Sequence, residues 1–444
     1  MNSNKVKSGL ELLAPAGSLE KMKYALYYGA DAVYAGVPDF SLRARINDFD
    51  FASLKKGVKF VHQAGKKFYV TLNIYAHNIH LKKLEGHLEK LKEIKIDGII
   101  LSDPGILTLV KKYLPNVEIH LSTQANATNW QAVKFWGEQG VSRVVLAREV
   151  TLEEIKEIKK NVPEMELEYF VHGAMCMSYS GRCILSKWMS NKSANLGDCS
   201  QPCRWMYWEK SENRNDKREI KEMSVVDNRG EFEIDLEEDN QGTYFFNSKD
   251  LNLLDYLKDL AEAGVDSFKI EGRNKSVYYL STVVRAYRNV LDAVLNNDKN
   301  YGKILKTEQE NLNELVNRGY TAGFLLGSEP EHNFNNSHNQ SCFQFVGEIV
   351  KHKTWNMEHK TGNQNYAQKI LWEAKVHNAI YQDDEIEVIG KTGNFAVKII
   401  KMLDDKMQEV ESAHGGHGKN YYLSFDNENI KEMDFLRKVV KNHS

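Results

Sequence analysis

The stretch that decides the fold is LELLAPAGSLEKMKYALYYGADAVYAG, residues 10–36. It begins with a short apolar run at 10–14, continues with a helix-like pattern that starts at Ser18, and ends in a second apolar run at 31–36. A strand, a helix and a strand in this order predict a βαβ unit with parallel strands. The alternation continues to about residue 325, with further strand candidates at 67–73, 97–103, 117–123, 142–148, 167–171 and 267–272.

Eight strand candidates, mostly separated by helix-sized intervals, predict an α/β protein whose parallel sheet closes into a (β/α)8 TIM-like barrel. An open, doubly wound sheet is the alternative. The Gly-x-Gly-x-x-Gly fingerprint of dinucleotide binding is absent after the first strand, where the chain reads APAGSLE. We expect the barrel to occupy residues 1–330.

Two segments depart from the strand–helix alternation. Residues 205–243 are charged and poor in apolar periodicity, which predicts an insertion, such as a hairpin with a mobile tip, after the seventh strand. Beyond the Asn- and His-rich stretch EPEHNFNNSHNQ, short strand-like runs separated by turns follow. They predict a small C-terminal antiparallel β-barrel over residues 340–444.

The composition argues against several classes of protein. The chain has 444 residues and a formal net charge of −2. This overall charge gives no support for nucleic-acid binding, although a local basic patch can occur on a neutral protein. The N-terminal residues lack the apolar core of a signal peptide, and no apolar stretch is long enough to span a bilayer. We therefore expect a cytoplasmic protein with no membrane partner, whose thiols stay reduced. The sequence does not determine the oligomeric state.

Four of the five cysteines are clustered, with the spacing C-x6-C-x15-C-x3-C: Cys176, Cys183, Cys199 and Cys203. Reduced thiolates gathered in this way predict a metal centre. Only the last two have the short separation that is usual for zinc, and irregular spacing is more typical of an iron–sulfur cluster, whose ligands come from separate loops. Zinc stays the alternative on these grounds. Cys342 stands apart, and we interpret it as structural.

Polar residues follow the predicted strands, at the end that carries the chemistry in (β/α)8 barrels. They are Asn73, Asp103, Ser122, Thr123, Gln124, Asn126, Arg148, Glu149, His172, Lys269, Glu271 and Arg273. Loops are polar in any case, so each residue alone is a weak signal. Lys269, Glu271 and Arg273 are stronger candidates for a catalytic site, because three charges at alternate positions follow one buried strand and point to the same side. His172 is a candidate base.

Several stretches together identify the chain as similar to peptidase family U32. The signature is EYFVHGAMC at 168–176 followed by GRCILS at 181–186, and FSLRARINDF, HLSTQANATNW and KIEGR match as well. The likeness extends over nearly the whole chain. In the branch of the family that the chain resembles most, it implies prephenate-dependent hydroxylation of uridine to 5-hydroxyuridine at the wobble position of tRNA. From relatives active in ubiquinone hydroxylation, it also implies a 4Fe–4S cluster on the four cysteines. Cys203 is the least secure of these ligands, because some relatives draw the fourth from further along the chain.

Prephenate as co-substrate would need cationic partners for its two carboxylates, and arginine forks suit carboxylates best. The candidates near predicted strand ends are Arg43, Arg45, Arg148 and Arg273, with Asn73 and Gln124 as further substrate-binding residues. A tRNA base splayed from its loop would stack on an aromatic ring, for which Tyr34, Tyr75 and Trp130 are candidates.

Two other functions remain open. The family name implies a protease of collagenase type, but the sequence has no H-E-x-x-H and no G-x-S-x-G, and no nucleophile with an evident base beside it. A non-catalytic scaffold stabilised by a metal is the third possibility. Because hydroxylation of a uracil C5–H needs a redox centre, the cysteine cluster favours a tRNA-modifying enzyme.

Overall fold

The computed structural model describes residues 9–38, 40–41, 48–176, 183, 185–190, 192, 199–200, 223–226, 233–236, 238–239, 242–243, 248–328, 339, 341–356 and 368–440. The chain forms two compact units. One comprises residues 1–312 and 316–339, and the other comprises residues 313–315 and 340–444.

The first unit contains a closed parallel barrel. Its eight strands are β1 (Glu11–Pro15), β2 (Ala32–Gly36), β3 (Lys67–Leu72), β4 (Gly98–Leu101), β5 (Glu118–Leu121), β6 (Arg143–Val145), β7 (Glu166–Ala174) and β13 (Ser267–Ile270). Each strand pairs in parallel with the next, and β13 pairs with both β7 and β1, which closes the ring. The predicted (β/α)8 barrel is confirmed, and the open doubly wound sheet is excluded.

Helices follow the strands as the sequence pattern predicts. They are α1 (Leu19–Tyr27), α2 (Phe51–Gln63), α3 (Asn78–Lys92), α4 (Pro104–Tyr113), α5 (Trp130–Glu138), α6 (Leu152–Asn161), α7 (Leu185–Ser190), α8 (Leu257–Glu262), α9 (Val277–Leu295) and α10 (Tyr301–Asn313). Capping side chains determine where several of these helices begin. Ser18 caps α1, Asp103 caps α4 with a proline at its first position, and Thr151 and Glu154 form a capping box on α6.

The interior of the barrel is filled by side chains rather than open. Leu13, Tyr34, Tyr69 and Ile100 pack there in one buried cluster together with Ala32. Burial of these large side chains stabilises the ring, at roughly 25 cal/mol for each Å² of apolar surface removed from water.

Strand β7 is longer than its neighbours and reaches past the barrel. Its last residues, His172 to Ala174, pair antiparallel with β12 (Asp250–Asn252), which pairs in turn with β14 (Tyr320–Thr321). Gly173 has φ +120°, and a Cβ there would stand 2.7 Å from the carbonyl oxygen of Glu271. The glycine therefore allows the end of β7 to approach the segment that follows β13.

The segment predicted to be an insertion contains two short antiparallel strand pairs. They are β8 (Met223–Val226) with β9 (Glu233–Leu236), and β10 (Glu238–Asp239) with β11 (Gly242–Thr243). The greater part of residues 205–243 lies outside the described residues, so the insertion with a mobile tip stays a prediction.

The second unit is an antiparallel sheet. Its strands are β15 (Phe343–Asn356), β16 (Gln368–Val376), β18 (Ile386–Gly390), β19 (Gly393–Val397), β20 (Ile399–Leu403), β22 (Asn420–Phe425) and β23 (Phe435–Val439), with a small β17 (Ile380–Tyr381) and β21 (Ser412–Ala413) pair beside them. The order is β19-β18-β23-β15-β16-β22-β20. The edge strands β19 and β20 are separated in the chain by Lys398 alone, and the sheet wraps around one apolar core. The predicted C-terminal antiparallel architecture is confirmed.

No helix in the described ranges is both long enough and apolar enough to cross a membrane.

Candidate functional site: a cavity at the carboxyl ends of the barrel strands

A cavity of about 130 Å³ opens at the carboxyl ends of the barrel strands. It is lined by Tyr34, Thr71, Asn73, Ile100, Ser122, Thr123, Gln124, Val145, Arg148, Phe170, Lys269, Glu271 and Arg273. These residues come from β2, β3, β4, β6, β7 and β13 and from the segments that follow β3, β5, β6 and β13. Parallel strands bring their carboxyl ends to one rim, which explains why residues so distant in sequence meet here.

Lys269 lies deepest among the cations of the cavity. It is buried, and its Nζ donates a hydrogen bond to Glu168 Oε1 at 2.5 Å. The same Nζ lies 4.6 Å from the ring centre of Tyr34 and 5.4 Å from that of Phe170. Burial lowers the pKa of Lys269, whereas the Glu168 carboxylate opposes that shift. A charged lysine is stable here because a carboxylate and two aromatic faces replace its water.

The two arginines of the cavity stand nearer the rim. Arg148 donates to Glu271 Oε2 and stacks on Phe170, with 4.2 Å from its guanidinium carbon to the ring centre. Arg273 donates to Ser41 Oγ at 2.7 Å and lies 5.6 Å from the ring centre of Tyr34. Glu271 therefore pairs with Arg148. Arg148 follows β6, so this partner comes from a different strand than the one that precedes Glu271.

Two buried donors in the lining have no hydrogen-bond partner in the described part of the chain: Gln124 Nε2 and Arg148 Nε. Gln124 is 3% exposed. A buried donor without an acceptor costs about 1–3 kcal/mol, which a ligand with acceptor oxygens would recover. The charge also favours an anion, since Lys269, Arg148 and Arg273 face Glu168 and Glu271, which leaves one net positive charge.

The structure brings only part of the predicted site together. The lining contains Asn73, Gln124, Arg148, Lys269, Glu271 and Arg273, and also the candidate aromatic residue Tyr34. Tyr75 and Trp130 are not among the lining residues. Arg43 and Arg45 lie outside the described residues. The roles assigned to all of these residues stay predictions.

His172 does not line the cavity, although its neighbour in the alternation, Phe170, does. Its ring is fully buried, with Nε2 3.1 Å from the hydroxyl of Tyr279 and Nδ1 3.3 Å from that of Tyr287. Burial lowers the pKa of His172 to about 3. At neutral pH His172 is an uncharged, enclosed ring that packs on α9. It therefore lies away from the cavity for which it is the candidate base.

The cysteines are only partly described. Cys176 comes two residues after the end of β7, so the chain itself places it near the carboxyl end of the barrel. Cys176 and Cys199 are exposed and Cys183 is half-buried, whereas Cys203 lies outside the described residues. Within the described ranges, no three His, Cys, Asp or Glu side chains come close enough to hold a metal ion.

The search for polar residues that follow the predicted strands did not find Glu168, which is the partner of Lys269. A signal was present, since a glutamate stands inside the otherwise apolar and aromatic run LEYFV at 167–171. A charged residue in a buried strand needs a partner in the interior, and here it has two, Lys269 and Arg143. The same search did not find Phe170, whose ring lies against both Arg148 and Lys269.

Fold and cavity together define a (β/α)8-barrel protein with a cationic site at the carboxyl ends of its strands. The chain belongs to peptidase family U32. The model of that family matches residues 17–335, and the model of the peptidase family U32 C-terminal domain matches residues 342–437.

Its relatives include proteins named for RNA hydroxylation. The chain is 40% identical to the tRNA hydroxylation protein P of Haemophilus influenzae, with 92% of each chain covered, and 38% identical to that of Escherichia coli, with 91% of each covered. It is also 36% identical to the 23S rRNA 5-hydroxycytidine C2501 synthase of Escherichia coli, over 64% of this chain and 40% of that one.

Proposed function

We propose that this protein is an RNA-hydroxylating enzyme that converts the wobble uridine of tRNA to 5-hydroxyuridine. Relatives named for tRNA hydroxylation that match over nine-tenths of the chain support the reaction class, and the rRNA relative extends it to a second pyrimidine. Since tRNA is the substrate, we expect the reaction to take place in the cytoplasm.

The single structural observation that carries the proposal is the cationic cavity with unsatisfied buried donors. We propose prephenate as its co-substrate, with its carboxylates bound by the guanidinium groups of Arg148 and Arg273 and by Gln124 Nε2. Arg148 is preorganised because Glu271 and Phe170 hold its plane, and Arg273 is fixed by Ser41. Gly36 allows that arrangement, since a Cβ there would stand 2.4 Å from Ser41 Oγ.

A 4Fe–4S cluster is the second part of the proposal. The donor set fits the group chemically, because four cysteines gather after β7 and iron–sulfur clusters take four thiolates. Cys176, Cys183, Cys199 and Cys203 would hold it, and it would supply the one-electron chemistry that acid–base side chains lack. Anaerobic reconstitution with iron and sulfide analysis tests this. Changing all four to serine should abolish iron binding, whereas Cys342→Ser, at the exposed cysteine outside the group, should retain it.

The residues of the chain itself would bind and orient the substrates in the cavity and shield them from water. Tyr34 and Phe170 form the aromatic walls of the cavity, and Tyr34 is fixed by a hydrogen bond from its hydroxyl to the carbonyl oxygen of Ile270 at 2.9 Å. A flipped uracil would stack on an aromatic face at this mouth. We propose that the C-terminal unit helps to position the RNA, and deletion of residues 340–444 should then weaken tRNA binding at fixed salt concentration.

The alternative functions have less support. The described residues that line the cavity include no histidine, so they form no nucleophile–histidine pair for proteolysis. A metal-stabilised scaffold would lose its fold, rather than one modified nucleoside, when the cysteines are changed.

Mass spectrometry of tRNA nucleosides from a strain without the gene tests the function. We expect loss of 5-hydroxyuridine and its derivatives, restored by the wild-type gene. Lys156→Ala is the matched control, because it removes only an exposed ion pair with Glu153 on α6 and should restore the nucleoside fully. Persistence of the nucleoside in a strain without a paralogue would overturn the proposal.

A further inference from the structure

Lys269 differs from the other cations of the cavity in its burial, because its amine and its carboxylate partner are both enclosed in the barrel. Glu168 is fully buried and stands 2.5 Å from Nζ, so the pair contributes no net charge toward an anion. Arg148 and Arg273 have forked donors nearer the rim and are the better carboxylate anchors. The presence of a buried amine at the inner end of the cavity therefore needs another explanation.

The surroundings of Lys269 suit an amine that reacts. A desolvated lysine can lose its proton to a carboxylate in contact with it, and a neutral lysine amine attacks carbonyl carbons to form an imine. Glu168 is such a carboxylate, and it has no access to bulk water through which the proton would escape. Tyr34 and Phe170 face Nζ with their rings, and these faces would stabilise an iminium cation as they stabilise the ammonium.

We propose that Lys269 is a nucleophilic lysine that forms an imine with the carbonyl group of a small oxo acid bound in the cavity. This rests on the small-anion site of the proposed function and names the reactive group of its ligand. The carboxylate of the oxo acid binds to Arg148 and Arg273, and its carbonyl carbon meets Nζ. No oxidant or reductant is needed for this step.

The atoms balance within the site. The Lys269 ammonium passes one proton to Glu168, and the neutral Nζ adds to the carbonyl carbon while a second proton moves from Nζ to the carbonyl oxygen. Glu168 then returns its proton to the hydroxyl group of this carbinolamine, the C–O bond breaks, water leaves, and the protonated imine remains opposite the Glu168 carboxylate. One ammonium and one carbonyl compound thus give one iminium and one water, with the charge of the pair unchanged.

Reductive trapping tests the proposal without RNA. The full-length protein, with its metal content as purified, is incubated with pyruvate and sodium cyanoborohydride, and the labelled lysines are located by peptide mass spectrometry. We expect one carboxyethyl group on Lys269, with labelling that saturates as pyruvate is raised. Malonate, which has carboxylates but no reactive carbonyl, should slow labelling at Lys269 and nowhere else.

Matched variants separate a reactive site from general lysine chemistry. Lys269→Arg keeps a cation opposite Glu168 but cannot form an imine, and it should remove the saturable label. Lys21→Arg is the control, because Lys21 is a half-buried lysine that donates to the carbonyl oxygen of Arg273 without lining the cavity. This variant should be labelled at Lys269 like the wild type.

Three results would overturn the imine: labelling that is spread over exposed lysines and absent from Lys269, an unchanged label in Lys269→Arg, or labelling of Lys269 that malonate does not slow. An unlabelled Lys269 in a protein that restores 5-hydroxyuridine to the deletion strain would remove the imine and leave the proposed function standing. If Lys269 is labelled but deletion of the gene leaves 5-hydroxyuridine in tRNA unchanged, the imine stands and the proposed function is overturned.

Discussion

Two clusters of charges lie in the same barrel, one at each end, and they are built differently. The mouth cluster consists of Lys269, Arg148, Glu271 and Arg273, at the carboxyl ends of the strands. The floor cluster consists of Arg143, Glu11 and Glu166, near the amino ends, together with Tyr69 and Ser267. Glu168 joins the two, with Oε1 on Lys269 and Oε2 3.3 Å from Arg143.

The floor cluster is closed by its own members. Arg143 bonds to Glu166 at 2.9 Å and to Glu11 at 2.5 Å, and Glu11 also accepts from Tyr69 at 2.7 Å and from Ser267 at 2.8 Å. At the mouth, Arg148 Nε of the cluster and Nε2 of Gln124, which lines the same cavity, have no acceptors among the described residues. A network satisfied internally stabilises the fold, whereas one with open donors is prepared for a ligand. This division agrees with the general separation of stability and chemistry between the two ends of such barrels.

Removing Arg143 should have the largest effect on stability. Arg143→Met leaves the half-buried Glu11 without its cation and the buried Glu168 with Lys269 alone, and breaking a buried pair costs about 3–5 kcal/mol. Urea unfolding measures the loss, and Lys156→Ala, which removes an exposed pair, should change little. A stability loss below 1 kcal/mol, on the scale of an exposed pair, would mean that the floor cluster does not carry the stabilising role assigned to it.

Arg273→Ala should affect activity more than stability. A charge-assisted hydrogen bond to a ligand is worth about 1.5–3 kcal/mol, which predicts roughly a ten- to hundredfold loss of tRNA hydroxylation. The melting temperature and iron content should stay near those of the wild type. Arg273→Lys, which keeps the charge without the fork, should recover part of the activity. Normal 5-hydroxyuridine levels in Arg273→Ala would remove this residue from the site.

His172 predicts a dependence of stability on pH. Its pKa falls from about 6.5 in the unfolded chain to about 3 in the fold, so the unfolded state binds the extra proton. The contribution of His172 is therefore complete above pH 6.5 and is lost as the pH falls toward 3, at up to about 1.4 kcal/mol for each pH unit. His172→Gln should unfold with a shallower pH dependence between pH 4.5 and 6.5. An identical slope would show that the ring is not enclosed as described.

Gln124→Leu should have the smallest effect and the most diagnostic one. Gln124 Nε2 has no acceptor in the described structure, and its Oε1 accepts a long bond of 3.5 Å from Ser122 Oγ, so its removal should change the stability by no more than a few tenths of a kcal/mol. Binding of the small anion should still weaken by about fivefold, near 1 kcal/mol. Isothermal titration with prephenate measures the second quantity. A clear loss of stability would indicate that Gln124 belongs to a closed network like the floor cluster.

Much of the mouth could be predicted because it depends on strand order alone. Once eight strands are parallel, residues that follow them meet at one rim, and Asn73, Gln124, Arg148, Lys269, Glu271 and Arg273 were found by that rule. The partners could not be predicted, since Glu271 meets Arg148 from two strands away, with β7 between them, and Lys269 meets Glu168 on the neighbouring strand. Such choices depend on side-chain reach and on the register between strands.

His172 shows where the alternation of side chains along a strand predicts the wrong face. Glu168, Phe170 and His172 are spaced by two and should share a face. The register between β7 and β13 shifts after Phe170, where Lys269 pairs with Phe170 and Ile270 pairs with His172. This bulge turns the ring of His172 onto Tyr279 and Tyr287 of α9, and a one-residue irregularity of that kind leaves no signal in the residue pattern.

The sequence by itself determined the parallel barrel, the antiparallel C-terminal sheet and the set of polar residues at the strand ends, because hydrophobic periodicity and strand order suffice for these. Only the tertiary structure decided which charges are neutralised and which donors stay open. That distinction depends on burial and on partners that are distant in sequence. It separates Lys269, paired with Glu168 inside the barrel, from Arg148 and Arg273 near the rim.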